Sequence, residues 1–90
     1  MRYRFELSTE SQRQLSRFPR EVQERLALAI DDLESRDDSQ WSNVKALQGA
    51  QWKGRFRKKV GPYRIIFRKL SEPGVAEIST ILIKSKDTYR

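Results

Sequence analysis

The period of the hydrophobic pattern changes along the chain, and each change predicts a different element. Residues 2–7 alternate between apolar and polar side chains, which predicts a half-buried strand. A helix is predicted further along, because apolar side chains recur there at spacings of four, four and three residues, at Val22, Leu26, Ile30 and Leu33. From Trp52 onward the period returns to two, so the remaining elements are predicted to be strands.

Capping and helix-breaking residues place the ends of the predicted helices. Ser8 and Thr9 are N-cap candidates for a first helix that runs to about Phe18. Pro19 ends that helix and also suits the first turn of the next one. The second helix is expected to end within residues 35–38, where polar and acidic side chains replace the apolar stripe.

Turn signals divide the rest of the chain. Residues 37–50 are expected to form a loop, with Val44 and Leu47 as anchors onto the core. Turns are predicted at Gly61-Pro62 and at residues 72–74, and the last strand is expected to cover residues 75–83.

Together these elements predict one domain, residues 1–90, with the order β-α-α-β-β-β. The N-terminal strand is expected to join the sheet, because an isolated strand would leave its backbone groups unpaired. The predicted fold class is therefore α+β, with two N-terminal helices packed on one face of an antiparallel sheet of about four strands. The other face of that sheet is left open.

The chain has no cysteine and no histidine, which excludes several kinds of chemistry. Disulfides, thiolate nucleophiles and Cys/His zinc sites are impossible, as are a Ser-His-Asp triad and a histidine general base. Acid–base chemistry in this protein would depend on Lys, Arg, Tyr, Asp or Glu.

The net charge of +7 is concentrated in the second part of the sequence. Residues 1–52 hold eight Lys/Arg against nine Asp/Glu, whereas residues 53–90 hold eleven against three. A fold that gathers this excess on one face would attract polyanions, above all nucleic acid. The alternative is a basic surface that is merely solvated.

Four of the cations alternate along one predicted strand and would share its open side. Alternate residues of a strand lie about 6.5–7 Å apart, close to the phosphate spacing of a nucleic-acid strand. Arg64, just past the turn, can join this row across the hairpin. The candidate phosphate-binding row is Lys53, Arg55, Arg57 and Lys59. An exposed strand kept soluble by its charges would show the same pattern.

Aromatic side chains are interleaved with these cations. Phe56 and Phe67 fit the inward period and are expected in the core. Tyr63 is either packed or offers its hydroxyl at the site. Tyr89, in a polar C-terminal segment, can stack on a base or act as a hydrophobic anchor.

Several segments together resemble the RelE/ParE toxin superfamily of bacterial toxin–antitoxin systems, and in particular its RelE-like branch. The most specific segment is the hairpin with its Val-Gly-Pro-Tyr-Arg turn. The resemblance extends over essentially the whole chain. The matching segments are residues 18–25, 44–49, 56–67 and the terminal Tyr89-Arg90.

The resemblance implies a metal-independent endoribonuclease that cuts mRNA in the ribosomal A site, so no metal or other cofactor is expected. In RelE-like toxins a 2′-hydroxyl attacks the adjacent phosphate and the 5′-oxygen leaves. Cationic side chains on the sheet promote this step, and a tyrosine near the C-terminus stacks on an mRNA base.

Matching the family's positions assigns candidate catalytic residues here. Arg57 and Lys59 match the basic residues of the first hairpin strand, Arg64 matches the arginine of the Tyr-Arg pair, and Tyr89 matches the C-terminal tyrosine. Lys59 is the candidate general base or proton relay, since a lysine can lose its proton among neighbouring cations whereas an arginine stays charged. Arg57 and Arg64 are candidates for stabilising the negative charge that develops on the phosphate. A further basic residue after the last strand is either Lys84 or Lys86.

Two other functions stay open: the ParE branch, whose members poison DNA gyrase, and a nucleic-acid-binding regulator without catalysis. The expected partners of the ribonuclease are a cognate antitoxin protein, the ribosome and mRNA. No membrane association is expected, because the longest apolar run, residues 81–83, is far too short for a span. The alternating N-terminal segment does not resemble a signal peptide, so a cytoplasmic location is expected.

Overall fold

A computed structural model describes residues 1–84, which form one sheet of five strands with two helices packed against it. The helices are α1 (Thr9–Arg17) and α2 (Arg20–Ser35). The strands are β1 (Arg4–Leu7), β2 (Val44–Ala46), β3 (Arg55–Val60), β4 (Tyr63–Lys69) and β5 (Val75–Ile83). The strand order across the sheet is β1-β5-β4-β3-β2. The α+β class is thereby confirmed, and the observed order β-α-α-β-β-β-β contains the predicted order with one further strand.

The sheet is mixed and has one strand more than predicted. Strands β2 to β5 form an antiparallel meander, but β1 pairs with β5 in parallel. The chain leaves β1 at one edge, crosses through both helices and returns as β2 at the other edge, so β5 comes back beside β1 in the same direction. Alternation predicts that a segment is a strand but not which way its neighbour runs, so the predicted all-antiparallel sheet was wrong.

The missed strand is β2, which lies inside the predicted loop of residues 37–50. Its three residues are too few to show a period of two, and its middle residue, Lys45, pairs with Arg57 of β3. Two short 3₁₀ helices, Asp38–Gln40 and Ala50–Trp52, flank it.

The helices begin and end close to their predicted positions. The Ser8 hydroxyl caps α1 by accepting a hydrogen bond from the Ser11 amide at 3.1 Å, and Phe18 is the C-cap. Pro19 occupies the N-cap of α2, and the helix ends at Ser35. Within residues 1–84, neither helix is long and apolar enough to cross a membrane.

The core lies between the helices and the sheet. Phe67 of β4 is fully buried at its centre, stacked on Phe56 at 5.5 Å and in edge contact with Phe5 and Trp41 at 5.1 and 5.6 Å. Leu26 of α2 is also fully buried in this cluster. The predicted core positions Phe56 and Phe67 are therefore confirmed.

An irregularity in β5 sets which side chains face the helices. Ile66 pairs with Thr80 but Phe67 pairs with Ile78, so Ser79 is an extra residue and forms a β-bulge. The bulge shifts the alternation by one residue, and Ile78 and Ile81 consequently both lie in the core. Without it, the apolar second half of β5 would turn away from the helices.

Helix α1 completes the edge of β5 beyond the end of β1. The Gln14 side chain accepts a hydrogen bond from the Ile81 amide at 2.7 Å and donates one to the Thr80 hydroxyl at 2.8 Å. A side-chain amide thus replaces a neighbouring strand, and it satisfies a backbone group that would otherwise lack a partner.

An ammonium group lies among the rings at the edge of the core. Lys69 Nζ lies 5.1 Å from the centre of the Tyr3 ring, 5.6 Å from Trp41 and 5.4 Å from Phe56, and it donates a hydrogen bond to Asp38 Oδ2 at 2.9 Å. The hydrogen bond from Lys69 lowers the pKa of Asp38 below its ordinary value, and the same bond raises the pKa of Lys69.

We expect Phe67→Ala to lower the free energy of unfolding by about 3–5 kcal/mol, because it removes the ring at the centre of the core and leaves a cavity. Leu28→Ala is the matched control, since Leu28 is 70% exposed on α2 and should change stability by less than about 0.5 kcal/mol. Urea unfolding followed by circular dichroism measures both. Equal stabilities for the two variants would contradict this description of the core.

We expect stability to fall in acid partly through Asp38. Its pKa is lower in the folded chain than in the unfolded chain, so its stabilising contribution is present above the ordinary value of 3.8 and is lost as the pH falls through the folded value. Asp38→Asn should therefore weaken the dependence of unfolding on pH in this range, measured as Tm between about pH 6 and pH 2. An unchanged pH profile would show that the Lys69–Asp38 bond contributes nothing.

Candidate nucleic-acid interface

Cations from neighbouring strands lie together on the face of the sheet that points away from the helices, called here the open face. Directly opposed residues of antiparallel strands project to the same side, so the register defines this face. Lys59 is opposed by Arg64, Arg57 by Ile66, and Arg55 by Arg68. These six residues belong to the open face.

The opposite alternation of β3 faces the helices. Phe56 and Val60 pack against the core, and Lys58 between them is 6% exposed. Lys58 Nζ donates a hydrogen bond to the Ser42 carbonyl at 2.8 Å, and its burial lowers the pKa of this amine. The predicted division of β3 into an apolar side and a cationic side is confirmed.

The two cations closest to the β3–β4 turn differ in accessibility. Lys59 is exposed, whereas Arg64 is only 3% exposed. Arg64 Nη1 donates hydrogen bonds to the carbonyls of Gly61 and Tyr63, at 2.7 and 2.9 Å. Arg64 therefore holds the turn in place with a buried side chain, whereas the opposed Lys59 is exposed.

Arg57 connects this group to the edge strand. Its Nη1 donates a hydrogen bond to the Asn43 carbonyl at 3.2 Å, at the start of β2. Lys45 of β2 opposes Arg57 and is exposed, so it adds a cation to the open face. Lys45 could not be assigned to the open face from the sequence, because its segment was predicted to be a loop and not a strand.

The chain after β5 returns to the same end of the sheet. The Lys84 amide donates a hydrogen bond to the Pro62 carbonyl at 2.7 Å, which fixes Lys84 beside the β3–β4 turn with an exposed side chain. We call this end of the open face, with Arg57, Lys59, Arg64 and Lys84, the turn end. Lys86 and Tyr89 lie outside the described residues.

The two ends of the open face differ in net charge. Away from the turn, Arg68 pairs with Glu77 at 3.2 Å, and Glu6 of β1 is the register partner of Glu77. At the turn end, no carboxylate among residues 1–84 lies within 4 Å of a cationic group of the four residues. Away from the turn, Arg68 is therefore neutralised while its opposed residue Arg55 is not, whereas at the turn end none of the four cations is neutralised.

Two further candidates lie outside the turn end. The strand predicted from Trp52 begins only at Arg55, because Trp52 ends the second 3₁₀ helix and Gly54, with a φ of 77°, turns the chain before β3. Lys53 is exposed in this turn and is not part of the row of Arg55, Arg57 and Lys59. The Tyr63 ring packs against Phe18 at 5.4 Å, on the helix side of the sheet. This position is typical of a core tyrosine and gives no support to the expectation that Tyr63 contributes to an RNA-binding surface.

The chain has the same fold as a protein chain in each of two solved complexes. One structure is the toxin–antitoxin complex RelBE2 from Mycobacterium tuberculosis, where the match has a TM-score of 0.76 and 20% identity over 93% of this chain and 100% of the other. The second is the archaeal RelE–RelB complex from Pyrococcus horikoshii, with a TM-score of 0.74 and 22% identity over 96% and 99%. The resemblance read from the sequence is thus confirmed for the fold.

No family model matches the sequence, and no curated protein matches it either. The similarity to the two complexes is therefore a similarity of architecture.

We expect Arg64→Ala to lower the free energy of unfolding by about 1–3 kcal/mol, because the Gly61 and Tyr63 carbonyls lose their common donor. Lys59→Ala, the control on the opposing strand, should be neutral or slightly stabilising, since it removes an exposed like charge opposite Arg64. Chemical denaturation of both variants checks this. Equal effects would contradict the structural role of Arg64.

Proposed function

We propose that this protein is the toxin of a type II toxin–antitoxin system and acts as a ribosome-dependent mRNA endoribonuclease. The observation that carries the proposal is the turn end, where Arg57, Lys59, Arg64 and Lys84 come together with no carboxylate partner among residues 1–84. The shared fold with chains of RelE–RelB complexes supports the same assignment.

The proposed reaction needs no group that the chain lacks. The 2′-hydroxyl of one nucleotide loses its proton and attacks the adjacent phosphorus, and the bond to the 5′-oxygen breaks, leaving a 2′,3′-cyclic phosphate and a 5′-hydroxyl. Lys59 is proposed as the proton acceptor or relay, because its exposed amine stands on the strand opposite Arg64 and can approach the sugar.

The two arginines are proposed to stabilise the extra negative charge on the phosphate as it becomes pentacoordinate. Arg57 is partly exposed and offers a planar fork of donors to the phosphate oxygens. Arg64 is proposed to act without changing its position. Its Nη1 stays hydrogen-bonded to the carbonyls of the turn, and its fixed positive charge adds to the local positive potential.

The leaving 5′-oxygen requires a proton donor, and the mRNA base next to the cleaved bond requires a side chain on which to stack. Lys84 is proposed as the donor, because its amide bond to Pro62 fixes it at the turn end, with Lys86 as the alternative. Tyr89 is proposed to stack on an mRNA base. Lys53 and Arg55, with Lys45, are proposed to bind flanking phosphates along β3 and the turn before it.

A protein of this kind requires a partner that restrains it. We propose that a cognate antitoxin binds this chain and neutralises the cations of the open face, as charge complementarity would favour. The two complexes compared above, the toxin–antitoxin complex RelBE2 and the archaeal RelE–RelB complex, support such a partner. Cleavage of mRNA on ribosomes would place the protein in the cytoplasm.

We expect Lys59→Ala and Arg57→Ala each to reduce mRNA cleavage on programmed ribosomes by about 100-fold or more, the usual size of a lost acid–base or charge-stabilising group. Arg68→Ala is the matched control: it removes a cation from the same face, but from the end where Glu77 already neutralises it. Its rate should stay within about threefold of the wild type. Primer extension on a reporter mRNA, with and without ribosomes, measures the cleavage.

Three results would contradict the proposal. The first is no cleavage by the wild-type protein under either condition, above all if it traps gyrase–DNA complexes instead. The second is cleavage that Lys59→Ala and Arg57→Ala leave unchanged. The third is an equal loss in Arg68→Ala, which would show that net charge alone determines the rate.

A further inference from the structure

One arginine of the helix layer reaches the same turn as the cations of the sheet. Gly61, in the β3–β4 turn, has a φ of 57°, and a Cβ placed on it would lie 2.8 Å from Cζ of Arg25 and 3.0 Å from its Nη1. Only the absence of a side chain at Gly61 leaves room for this guanidinium. Arg25 of α2 therefore lies directly against the turn backbone.

The turn thus has a guanidinium on each of two sides. Arg64 holds the Gly61 carbonyl from the sheet, and Arg25 covers the Cα of the same residue from the helix layer. Lys84 is bonded to the next residue, Pro62. The positive surface of the turn end consequently continues around the end of the sheet onto α2.

Arg25 differs from the other arginines that belong to α2 or its C-cap. Arg20 pairs with Glu24 at 3.5 Å, and Arg36 pairs with Asp32 at 2.9 Å. Arg25 is exposed, and among residues 1–84 no carboxylate lies within 4 Å of its guanidinium. Its charge is therefore directed toward the turn rather than toward a neighbour on the helix.

A guanidinium placed this way is suited to a phosphate. It is always charged, and it presents its donors in a planar fork that matches the oxygens of a phosphate.

We propose that Arg25 binds an RNA phosphate beside the β3–β4 turn, so that the RNA site extends from the open face around the turn to helix α2. This inference rests on the proposed function, since it assumes that RNA is the ligand of the open face. The phosphate belongs either to the message or to ribosomal RNA, and the test separates the two.

The test compares Arg25→Gln, Arg25→Lys and the control Arg20→Ala. Glutamine keeps a planar polar head without charge, so the turn contact is preserved better than by alanine. Arg20 lies on the same helix and its loss also removes one charge, but its side chain is 91% exposed and paired with Glu24. The probes are an uncleavable 2′-O-methyl RNA 12-mer and vacant ribosomes, each titrated at several salt concentrations.

We expect Arg25→Gln to weaken binding about tenfold relative to Arg20→Ala, the size of one charge-assisted hydrogen bond. With the oligonucleotide, the slope of log affinity against log salt should fall by about 0.7, the value for one single-strand phosphate contact. Arg25→Lys should restore the slope, because it restores the charge. A loss confined to the oligonucleotide assigns the phosphate to the message, and a loss confined to ribosomes assigns it to ribosomal RNA.

Equal affinity and salt slope for Arg25→Gln and Arg20→Ala, with either probe, would overturn the inference while leaving wild-type cleavage and the proposed function intact. A weakened affinity with an unchanged salt slope, accompanied by a lower Tm, would assign Arg25 a purely structural role and also overturn it. If the wild-type protein binds neither probe, both the inference and the proposed function fail.

Discussion

The pairing of β3 with β4 is the constraint on which the rest of the structure depends. Its register sets Phe56 against Phe67 on one side and Lys59 against Arg64 on the other, so one set of hydrogen bonds positions both the centre of the core and the cationic surface. A slip of one residue would exchange the two faces, burying arginine and exposing phenylalanine. The large cost of that exchange is what keeps the cations together.

The same pairing forces like charges into opposition. Directly opposed cations destabilise a sheet, and Arg64 is nearly buried as well. Two carbonyl hydrogen bonds offset part of this cost for Arg64, and the exposure of Lys59 leaves its charge to the solvent. What remains is an unfavourable potential, which a bound polyanion would relieve.

The sequence predicts much of this architecture and fails at identifiable points. Alternation placed Arg57 and Lys59 on one side of β3 and Phe56 on the other, because a half-buried strand has to repeat every two residues. The bulge at Ser79 and the parallel pairing of β1 leave no local pattern, since both depend on a neighbouring strand. Lys45 was missed for the same reason, and the contact between Arg25 and Gly61 joins residues that only the tertiary fold brings together.

The positions of the carboxylates on the open face, as well as those of the cations, determine which part of it can attract a polyanion. Away from the turn, Glu77 pairs with Arg68 at 3.2 Å and Glu6 pairs with Arg4 at 3.3 Å, so two of the cations at that end already have carboxylate partners, whereas the four cations of the turn end have none among residues 1–84. Such a gradient favours one placement of a phosphate backbone over a shifted one, because each displaced phosphate loses a cation and approaches a carboxylate. The distribution of charge within a single sheet, and not the net charge of the chain, would therefore determine where a bound polyanion lies.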